Sequence, residues 1–195
     1  MKQVDSPALA AFEIDTERLH LRPLQPGDEA LFHALYTDPD TMRFIAPPLS
    51  AAQAARYFRR TVAGMQATPI RWLSLTMLRK LSQQPVGICG VSNFDAAARR
   101  LEVGILLTAE ARSQGVAREG LAALMNRLFE VLPVDELWVQ FSVECATVKR
   151  LNSSLGFEPC AVAAGEGGLA SGGKCIWSVQ RSTWFIQRSN LYRGT

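Results

Sequence analysis

Apolar and polar residues alternate in several short stretches of the chain, which is typical of β-strands with one buried face. The run from Leu101 to Thr108 is the clearest, because Leu101, Val103 and Ile105 fall on one side and Glu102 and Gly104 on the other. The predicted strands cover residues 17–22, 71–78, 85–91, 101–108, 137–143, 157–162 and 175–181.

Apolar spacings of three and four residues predict helices between these strands. Ser50 and Gln53 form a capping-box pattern ahead of one such helix. Another helix begins at Gly115 and ends before Pro133, and Gly156 is expected to stop a short helix over 146–155. A further helix is predicted from Pro26 to about Tyr36, closed by Asp38 and Pro39.

Length and composition indicate one globular domain over residues 1–195. The chain is 48% apolar and 20% charged, and no apolar run reaches the roughly 20 residues of a membrane span. A net charge of +3 is too small to indicate direct binding of nucleic acid. We therefore expect a partner that is neither a membrane nor a nucleic acid, while a homodimer stays open.

Four cysteines are scattered without a C-x-x-C pair, so no metal site is expected. Because no export signal precedes them, they are interpreted as buried or free thiols of a cytoplasmic protein. Two phosphate-binding patterns, G-x-x-x-x-G-K-[ST] and G-x-G-x-x-G, do not occur. The order strand, glycine-containing loop and helix at Gly115 nevertheless favours an anion site, since the start of a helix offers free amides.

These residues resemble a known family. The spacing R-x-x-G-x-A at Arg112, Gly115 and Ala117 is similar to the acetyl-CoA pyrophosphate loop of the GNAT superfamily of N-acetyltransferases. Further stretches resemble its ribosomal-protein acetyltransferase (RimJ/RimL) branch, and together they cover about residues 14–184. These stretches are Thr16-Glu17-Arg18-Leu19, Leu21-Arg22-Pro23, Asp38-Pro39, Leu101-Glu102-Val103-Gly104, Glu119 and Leu155-Gly156-Phe157.

The resemblance implies an α/β (α+β) fold: a mixed, mostly antiparallel sheet of about six or seven strands, about four flanking helices, and two parallel central strands that splay apart. The cofactor implied is acetyl-CoA. Its pantetheine arm would lie in the gap between the splayed strands, along Leu106, Leu107 and Thr108. Its pyrophosphate would bind the amides of Ser113, Gln114, Gly115, Val116 and Ala117, with Arg112 and Arg118 adding charge. Arg118 is equally interpreted as a solvated helix residue that pairs locally with Glu119 or another neighbour.

The activity implied is direct transfer of an acetyl group to a primary amine, either a protein N-terminus or a small molecule, in a ternary complex. An alkyl amine with a pKa near about 10 must lose a proton before it attacks, and Glu102 is the candidate base. The alternative role for Glu102 is an ion pair with Arg99 or Arg100. The acceptor would lie between the segment from Arg43 to Leu49 and the glycine-rich stretch at 163–174.

Departures from the family pattern leave alternatives open. Cys145 occupies a position where many members have Asn, and Asn152 stands where some have a Tyr that protonates the departing thiolate. Asn152 is expected to bind the coenzyme, and Ser154 or Ser153 to assist the thiolate, unless both serines only complete the helix end. One alternative function is a catalytically degenerate acyl-CoA-binding or sensing module. Another is that residues 101–130 belong to a nucleotide-binding α/β domain.

Overall fold

The computed structural model describes residues 8–66, 72–160, 169–170 and 173–192, with the backbone alone at 169–170 and 187–192. The strands are β1 (Ile14–Asp15), β2 (Leu19–Pro23), β3 (Leu73–Arg79), β4 (Pro85–Asp95), β5 (Arg100–Leu107), β6 (Glu136–Ser142), β7 (Glu158–Pro159), β8 (Leu169–Ala170) and β9 (Lys174–Gln180). The α-helices are α1 (Glu29–Thr37), α2 (Pro39–Met42), α3 (Ala51–Met65), α4 (Val116–Val131), α5 (Ala146–Ser154) and α6 (Arg181–Tyr192).

All of these strands join one sheet in the order β1-β2-β3-β4-β5-β6-β9-β7, with β8 added beside β9. Neighbouring strands run antiparallel, except that β5 and β6 are parallel. The helix α4 connects β5 to β6, as a parallel pair requires a crossover. The predicted fold, a mostly antiparallel sheet with one parallel central pair, is confirmed.

Helices cover both faces of the sheet. On one face Thr76 of β3 donates its hydroxyl proton to Asp28, which precedes α1, over 2.8 Å. The same face is covered by α3, where Trp72 Nε1 donates to the Thr61 carbonyl. On the other face α4 lies against β3, close enough that a Cβ on Gly120 would be 2.6 Å from Met77 Sδ. The core therefore forms two layers, one on each side of the sheet.

Most predicted elements are present with small shifts of their ends. Ser50 and Gln53 form the expected capping box at the start of α3. The sheet contains more strands than the resemblance implies because it also includes β1 and β8, which have only two residues each, too few for an alternating pattern. The strand expected at 157–162 is present as β7. The helices α2 and α6 were also not anticipated. Asp38 closes α1 as expected, and its side chain also caps the start of α2 by accepting from the Thr41 amide.

None of the helices described here is both long and apolar enough to cross a membrane. Cys89, Cys145, Cys160 and Cys175 are all free thiols. Of the glycine-rich stretch, residues 161–168 and 171–172 lie outside the described residues, as does the C-terminal part of the strand expected at 157–162.

Candidate active site

The two parallel strands separate halfway along their length. Residues Arg100, Leu101 and Glu102 pair with Glu136, Leu137 and Trp138, and no pair follows. From Val103 to Leu107 the edge of β5 that faces β6 therefore has no strand partner within the described chain. Its peptide groups are free to bind an extended ligand, much as an added strand would.

A cleft of about 640 Å³ runs through this gap. It begins beneath α1 and α3, crosses β4 and β5, and ends against α5. Leu106 lines it, whereas the neighbouring Thr108 uses its amide to bond the Val86 carbonyl at 3.0 Å. Of the residues predicted to run beside the pantetheine arm, the structure thus brings Leu106 into the cleft and keeps the Thr108 N–H in the sheet.

Glu102 lies at the point where the strands part, opposite Trp138 in the last paired position. Its half-buried carboxylate accepts hydrogen bonds from Asn93 Nδ2 at 2.6 Å and from Ser92 Oγ at 3.2 Å. Consecutive strand residues normally face opposite sides of a sheet. Here the register shifts between Ser92 and Asp95, and Asn93 has a φ of 50°, so both side chains reach the same carboxylate.

The alternative of an ion pair for Glu102 is wrong within the described chain. Arg99 instead lies 2.6 Å from Asp135, and Arg100 lies 3.7 Å from Glu136. The carboxylate of Glu102 is thus oriented by neutral donors and lines the cleft. A carboxylate in that setting is able to accept a proton from a bound amine.

The loop before α4 has the conformation of an anion-binding nest. Ser113 and Gly115 both adopt left-handed φ values, 59° and 76°, which turn successive amides toward one side. After this loop, Glu119 is the first residue whose backbone N–H donates to a carbonyl, that of Gly115. Within the described chain the amides from Ser113 to Arg118 have no hydrogen-bond acceptor. This arrangement fits a pyrophosphate.

Arg18 holds this loop from the side. Its Nη1 donates to the Gln114 carbonyl at 3.1 Å, and its Nη2 lies 2.6 Å from Glu119 Oε2. Glu119 also accepts from the Arg18 amide at 2.9 Å and from Thr16 Oγ1 at 2.6 Å. The Gln114 side chain accepts from Arg79 Nη2 at 2.5 Å. The chain around β2 and β3 therefore fixes both the loop and the first turn of α4.

The charge of Glu119 is stabilised by these contacts. Burial alone would raise the pKa of its carboxyl, but the hydrogen bonds from Thr16 and Arg18 outweigh burial and lower the pKa below its usual value. Sequence patterns assign no function to Glu119, although Thr16, Arg18 and Glu119 all lie in stretches that resemble the family. Because these residues are far apart along the chain, the sequence alone does not reveal that they contact one another.

The two arginines expected to add charge at the loop differ in their surroundings. Arg112 donates from Nη2 to Thr41 Oγ1 at 2.6 Å and lies 3.9 Å from Asp38 Oδ2, so it connects the loop to α2. Arg118 is exposed on the first turn of α4. Its expected pairing with Glu119 is not found, because Glu119 pairs with Arg18.

Asn152 is buried on α5 and lines the cleft, with 2% of its surface exposed. Its Nδ2 has no hydrogen-bond partner within the described chain. A buried amide nitrogen without an acceptor is costly, so this position fits a ligand that supplies one. Together with the free amides before α4 and the open edge of β5, it shows that the residues present fit coenzyme A.

Ser154 is not brought to the cleft. Its hydroxyl donates to the Leu151 carbonyl at 2.7 Å, and both Ser153 and Ser154 are exposed at the end of α5. This geometry agrees with the helix-end alternative. Cys145, at the start of the same helix, does line the cleft and is half-buried.

The end of the cleft under α1 and α3 is aromatic. Tyr36, Phe44, Tyr57 and Trp72 line it together with Ile45. Burial raises the pKa of Tyr36, and the neighbouring Tyr57 raises it further, so its phenol stays protonated. These residues were not singled out from sequence, apart from the segment from Arg43 to Leu49, which contributes Phe44 and Ile45.

The guanidinium of Arg43 lies 5.1 Å from the ring centroid of Phe44 and is exposed. Of the stretch 163–174 expected to line the acceptor side, Lys174 contributes to the cleft, and residues 163–168 and 171–172 lie outside the described chain. No group of three or more His, Cys, Asp or Glu among the described residues is arranged to hold a metal ion.

Comparison with known proteins agrees with this geometry. The family model described as an acetyltransferase (GNAT) domain matches residues 18–158. That range contains Glu102, the loop before α4 and Asn152. No curated protein sequence matches the chain.

Solved structures with the same fold cover nearly the whole described chain. The spermidine N-acetyltransferase from Vibrio cholerae, solved with CoA and spermine, has a TM-score of 0.74 at 17% identity, over 87% of this chain and 99% of that one. A GNAT-family acetyltransferase from Bacillus anthracis has a TM-score of 0.71 at 14% identity, over 88% and 99%. A protein assigned as a ribosomal-protein-serine acetyltransferase from Vibrio cholerae has a TM-score of 0.68 at 19% identity, over 87% and 97%. At these identities the likeness concerns the fold.

Proposed function

Because the chain belongs to the acetyltransferase (GNAT) family, and is therefore an N-acetyltransferase that uses acetyl-CoA, we propose that it acetylates a primary amine by direct attack within the cleft. Glu102 acts as the base in this proposal. The amine, whether on a small molecule or at a protein N-terminus, and the coenzyme bind at the same time.

The observation that carries the proposal is the position of Glu102 at the fork between β5 and β6. The pairing of the two strands ends at Glu102 and Trp138, and the cleft passes through the gap that follows. The loop before α4 and Asn152 of α5 would hold acetyl-CoA on one side of that gap, and the cleft under α1 and α3 would admit the amine from the other side. The carboxylate stands between the two approaches.

In this proposal the coenzyme binds to polar groups that have no other hydrogen-bond partner within the described chain. The amides from Ser113 to Ala117 would bind its pyrophosphate, and the unpaired edge of β5 near Leu106 would bind its pantetheine arm. Asn152 Nδ2 would donate to an acceptor on the same ligand. When bound, acetyl-CoA supplies the thioester whose acetyl group is transferred.

Glu102 accepts the proton that the bound ammonium must lose before it attacks. The nitrogen then bonds to the acetyl carbon while the carbon–sulfur bond breaks, and the bonding electrons leave with sulfur. The nitrogen releases its second proton, and the thiolate takes up one, so the products are an amide, a free thiol and one proton. The hydrogen bonds from Asn93 and Ser92 keep the carboxylate in place throughout.

The test measures thiol release from acetyl-CoA with a panel of amines, alongside coenzyme affinity by calorimetry. We expect Glu102→Gln to lower kcat by about 10²-fold or more and to leave the Kd for coenzyme A unchanged. Glu130→Gln serves as the control, because that carboxylate is exposed on α4 and away from the cleft.

Turnover that is unchanged in Glu102→Gln would remove Glu102 from the mechanism. Tight binding of coenzyme A without turnover on any acceptor would favour the alternative, a sensing module that binds acyl-CoA. Cys145 and Asn152, which replace residues common in the family, motivate that alternative.

A further inference from the structure

The acceptor end of the cleft is walled by aromatic rings, which we call the aromatic wall and define as Tyr36, Phe44, Tyr57 and Trp72. Tyr57 is 45% exposed, and the neighbouring Ile45 is 47% exposed. Large apolar side chains this open inside a cleft favour an apolar ligand, since burying them against one removes both surfaces from water.

Two rings of the aromatic wall, those of Tyr36 and Tyr57, pack against each other and against Phe32 without any ligand. The rings of Tyr36 and Tyr57 meet edge to face, with centroids 5.3 Å apart. Phe32 stacks beneath Tyr36 at 4.2 Å and lies edge-on to Tyr57 at 5.4 Å. Because these contacts fix the rings in advance, a ligand that packs on them loses little to rearrangement of the protein.

The sheet surface opposite the aromatic wall forms the floor of this end of the cleft, and it has no side chains at Gly90 and Gly104. Gly90 of β4 pairs with Gly104 of β5, so the two strands carry no side chains at adjacent positions on this face. A Cβ placed on Gly104 would meet no atom within 4 Å, and Gly104 lines the cleft. The space above Gly104 is therefore open to a substituent of the acceptor.

The charges in the cleft suit a single cation. Glu102 is the one carboxylate among the described residues that line it, whereas Arg60 and Lys174 contribute positive charge. Arg60 lies 5.9 Å from the ring centroid of Trp72, within the acceptor end. Among these described residues a ligand with several ammonium groups would have one carboxylate for all of them and would be repelled by the two cations.

We propose that the acceptor is a primary amine with one positive charge and an aromatic or bulky apolar substituent, and that polyamines are excluded. This inference rests on the proposed function, since it assigns the acceptor of the same transfer. The ammonium lies beside Glu102, and the substituent packs between the aromatic wall and the floor at Gly104. The reaction consumes one amine and one acetyl thioester and yields the amide, the thiol and one proton.

The experiment compares kcat/KM for four amines with acetyl-CoA and the full chain. They are 2-phenylethylamine, a pentapeptide that begins with Phe, butylamine and spermidine. We expect 2-phenylethylamine or the peptide to exceed spermidine by at least about tenfold, and butylamine to fall between. The ratio of 2-phenylethylamine to the peptide identifies the source of the amine.

Variants of the cleft test the placement. Tyr57→Ala removes an exposed ring and is expected to raise KM for 2-phenylethylamine about fivefold or more, with KM for butylamine and the Kd for coenzyme A unchanged. Gly104→Ala places a Cβ in the open space, where it would meet no atom within 4 Å, and should discriminate in the same direction. Equal effects of both variants on butylamine and 2-phenylethylamine would overturn the placement.

A preference for spermidine would overturn this inference while leaving the acetyltransferase proposal intact. Thiol release with none of the four amines, but with other amines of the wider panel, would overturn this inference and leave the acetyltransferase proposal intact, whereas release with no amine of the panel would contradict both. Faster turnover of butylamine than of either aromatic amine would show that the aromatic wall does not contact the acceptor, and it too would overturn the inference.

Discussion

Arg18 Nη2 lies 2.6 Å from Glu119 Oε2, across a separation of 101 residues along the chain. The same guanidinium donates to the Gln114 carbonyl, in the loop whose free amides face the predicted pyrophosphate site. The Arg18 side chain therefore connects the helix α4 with the loop that precedes it. The pair acts on the coenzyme through the position of these amides, since neither residue needs to touch it.

Replacing Glu119 by Gln is expected to weaken binding of coenzyme A by roughly tenfold, which corresponds to about 1.4 kcal/mol. The amide keeps the shape of the side chain but loses the charge that orders Arg18 and Thr16 around the loop. Calorimetry with coenzyme A measures the change, and Glu130→Gln on the same helix is the control, because its exposed pair with Arg127 lies far from the loop. Equal affinities in the two variants would contradict the assigned role.

Gly115→Ala is expected to weaken coenzyme binding by about tenfold. Gly115 has a φ of 76°, a left-handed conformation that costs a residue with a side chain about 1–2 kcal/mol. A Cβ there would also lie 3.2 Å from Arg18 Nη2. We expect the loop to relieve this strain by turning its amides away from the proposed pyrophosphate site, which lowers the affinity.

Gly173→Ala provides the control for that substitution. Gly173 has a similar φ of 72°, and a Cβ there meets no atom within 4 Å. Both variants should lose similar stability in thermal unfolding, and only Gly115→Ala should lose affinity for coenzyme A. Loss of affinity in both would mean that general destabilisation, rather than the loop, determines binding.

Features that depend on neighbouring residues could be predicted from the sequence. The loop at Gly115, the capping box of Ser50 and Gln53, and the stop at Gly156 each depend on a few consecutive residues and on backbone rules that are local. Gly156 indeed has a φ of 79° at the end of α5. The resemblance to a family added the splayed strands, which no local pattern contains.

Features that depend on distant contacts could not be predicted in this way. The hydrogen bonds of Glu102 require a shift in register on another strand, and periodicity does not reveal such a shift. The ion pair of Arg18 and Glu119 joins segments that only the tertiary fold brings together. Ser154 was assigned to the thiolate from its place on α5, but its hydroxyl is satisfied by the carbonyl three residues earlier.

Asp28 is expected to make stability depend on pH in the acid range. Burial alone would raise the pKa of this carboxyl, but hydrogen bonds from Arg22, the Gln25 amide and Thr76 outweigh burial and lower it. Because the pKa is lower in the folded state, the contribution to stability is fully present above the unfolded value of about 3.9. It is lost as the pH falls through the folded pKa.

Asp28→Asn should therefore be less stable than the wild type at pH 7, by about 2 kcal/mol, since hydrogen bonds to the charged group are lost. The difference in free energy of unfolding should shrink as the pH falls below about 4 and through the lowered pKa of the folded state. Urea unfolding at several pH values measures it, with Asp40→Asn as an exposed control. A difference that stays constant down to pH 2 would show that the charge of Asp28 contributes nothing.

Asn152→Leu is expected to change stability and coenzyme binding in opposite directions. Asn152 Nδ2 is buried without a partner in the described chain, and removing such a group recovers about 1–3 kcal/mol. In a chain of this size each kcal/mol raises Tm by about 2–4 °C. The same substitution deletes a donor from the cleft, so the Kd for coenzyme A should rise.

Asn126→Leu supplies the matched control for this trade-off, because Asn126 Oδ1 accepts a hydrogen bond from Trp184 Nε1 at 2.7 Å. Removing an acceptor that is in use should lower Tm, and affinity for coenzyme A should stay the same. If Asn152→Leu also lowers Tm and binds coenzyme A normally, Asn152 is a structural residue like Asn126. If Asn152→Leu raises Tm and weakens binding of coenzyme A, the Asn152 amide is left unpaired in the free protein because coenzyme A supplies its hydrogen-bond acceptor.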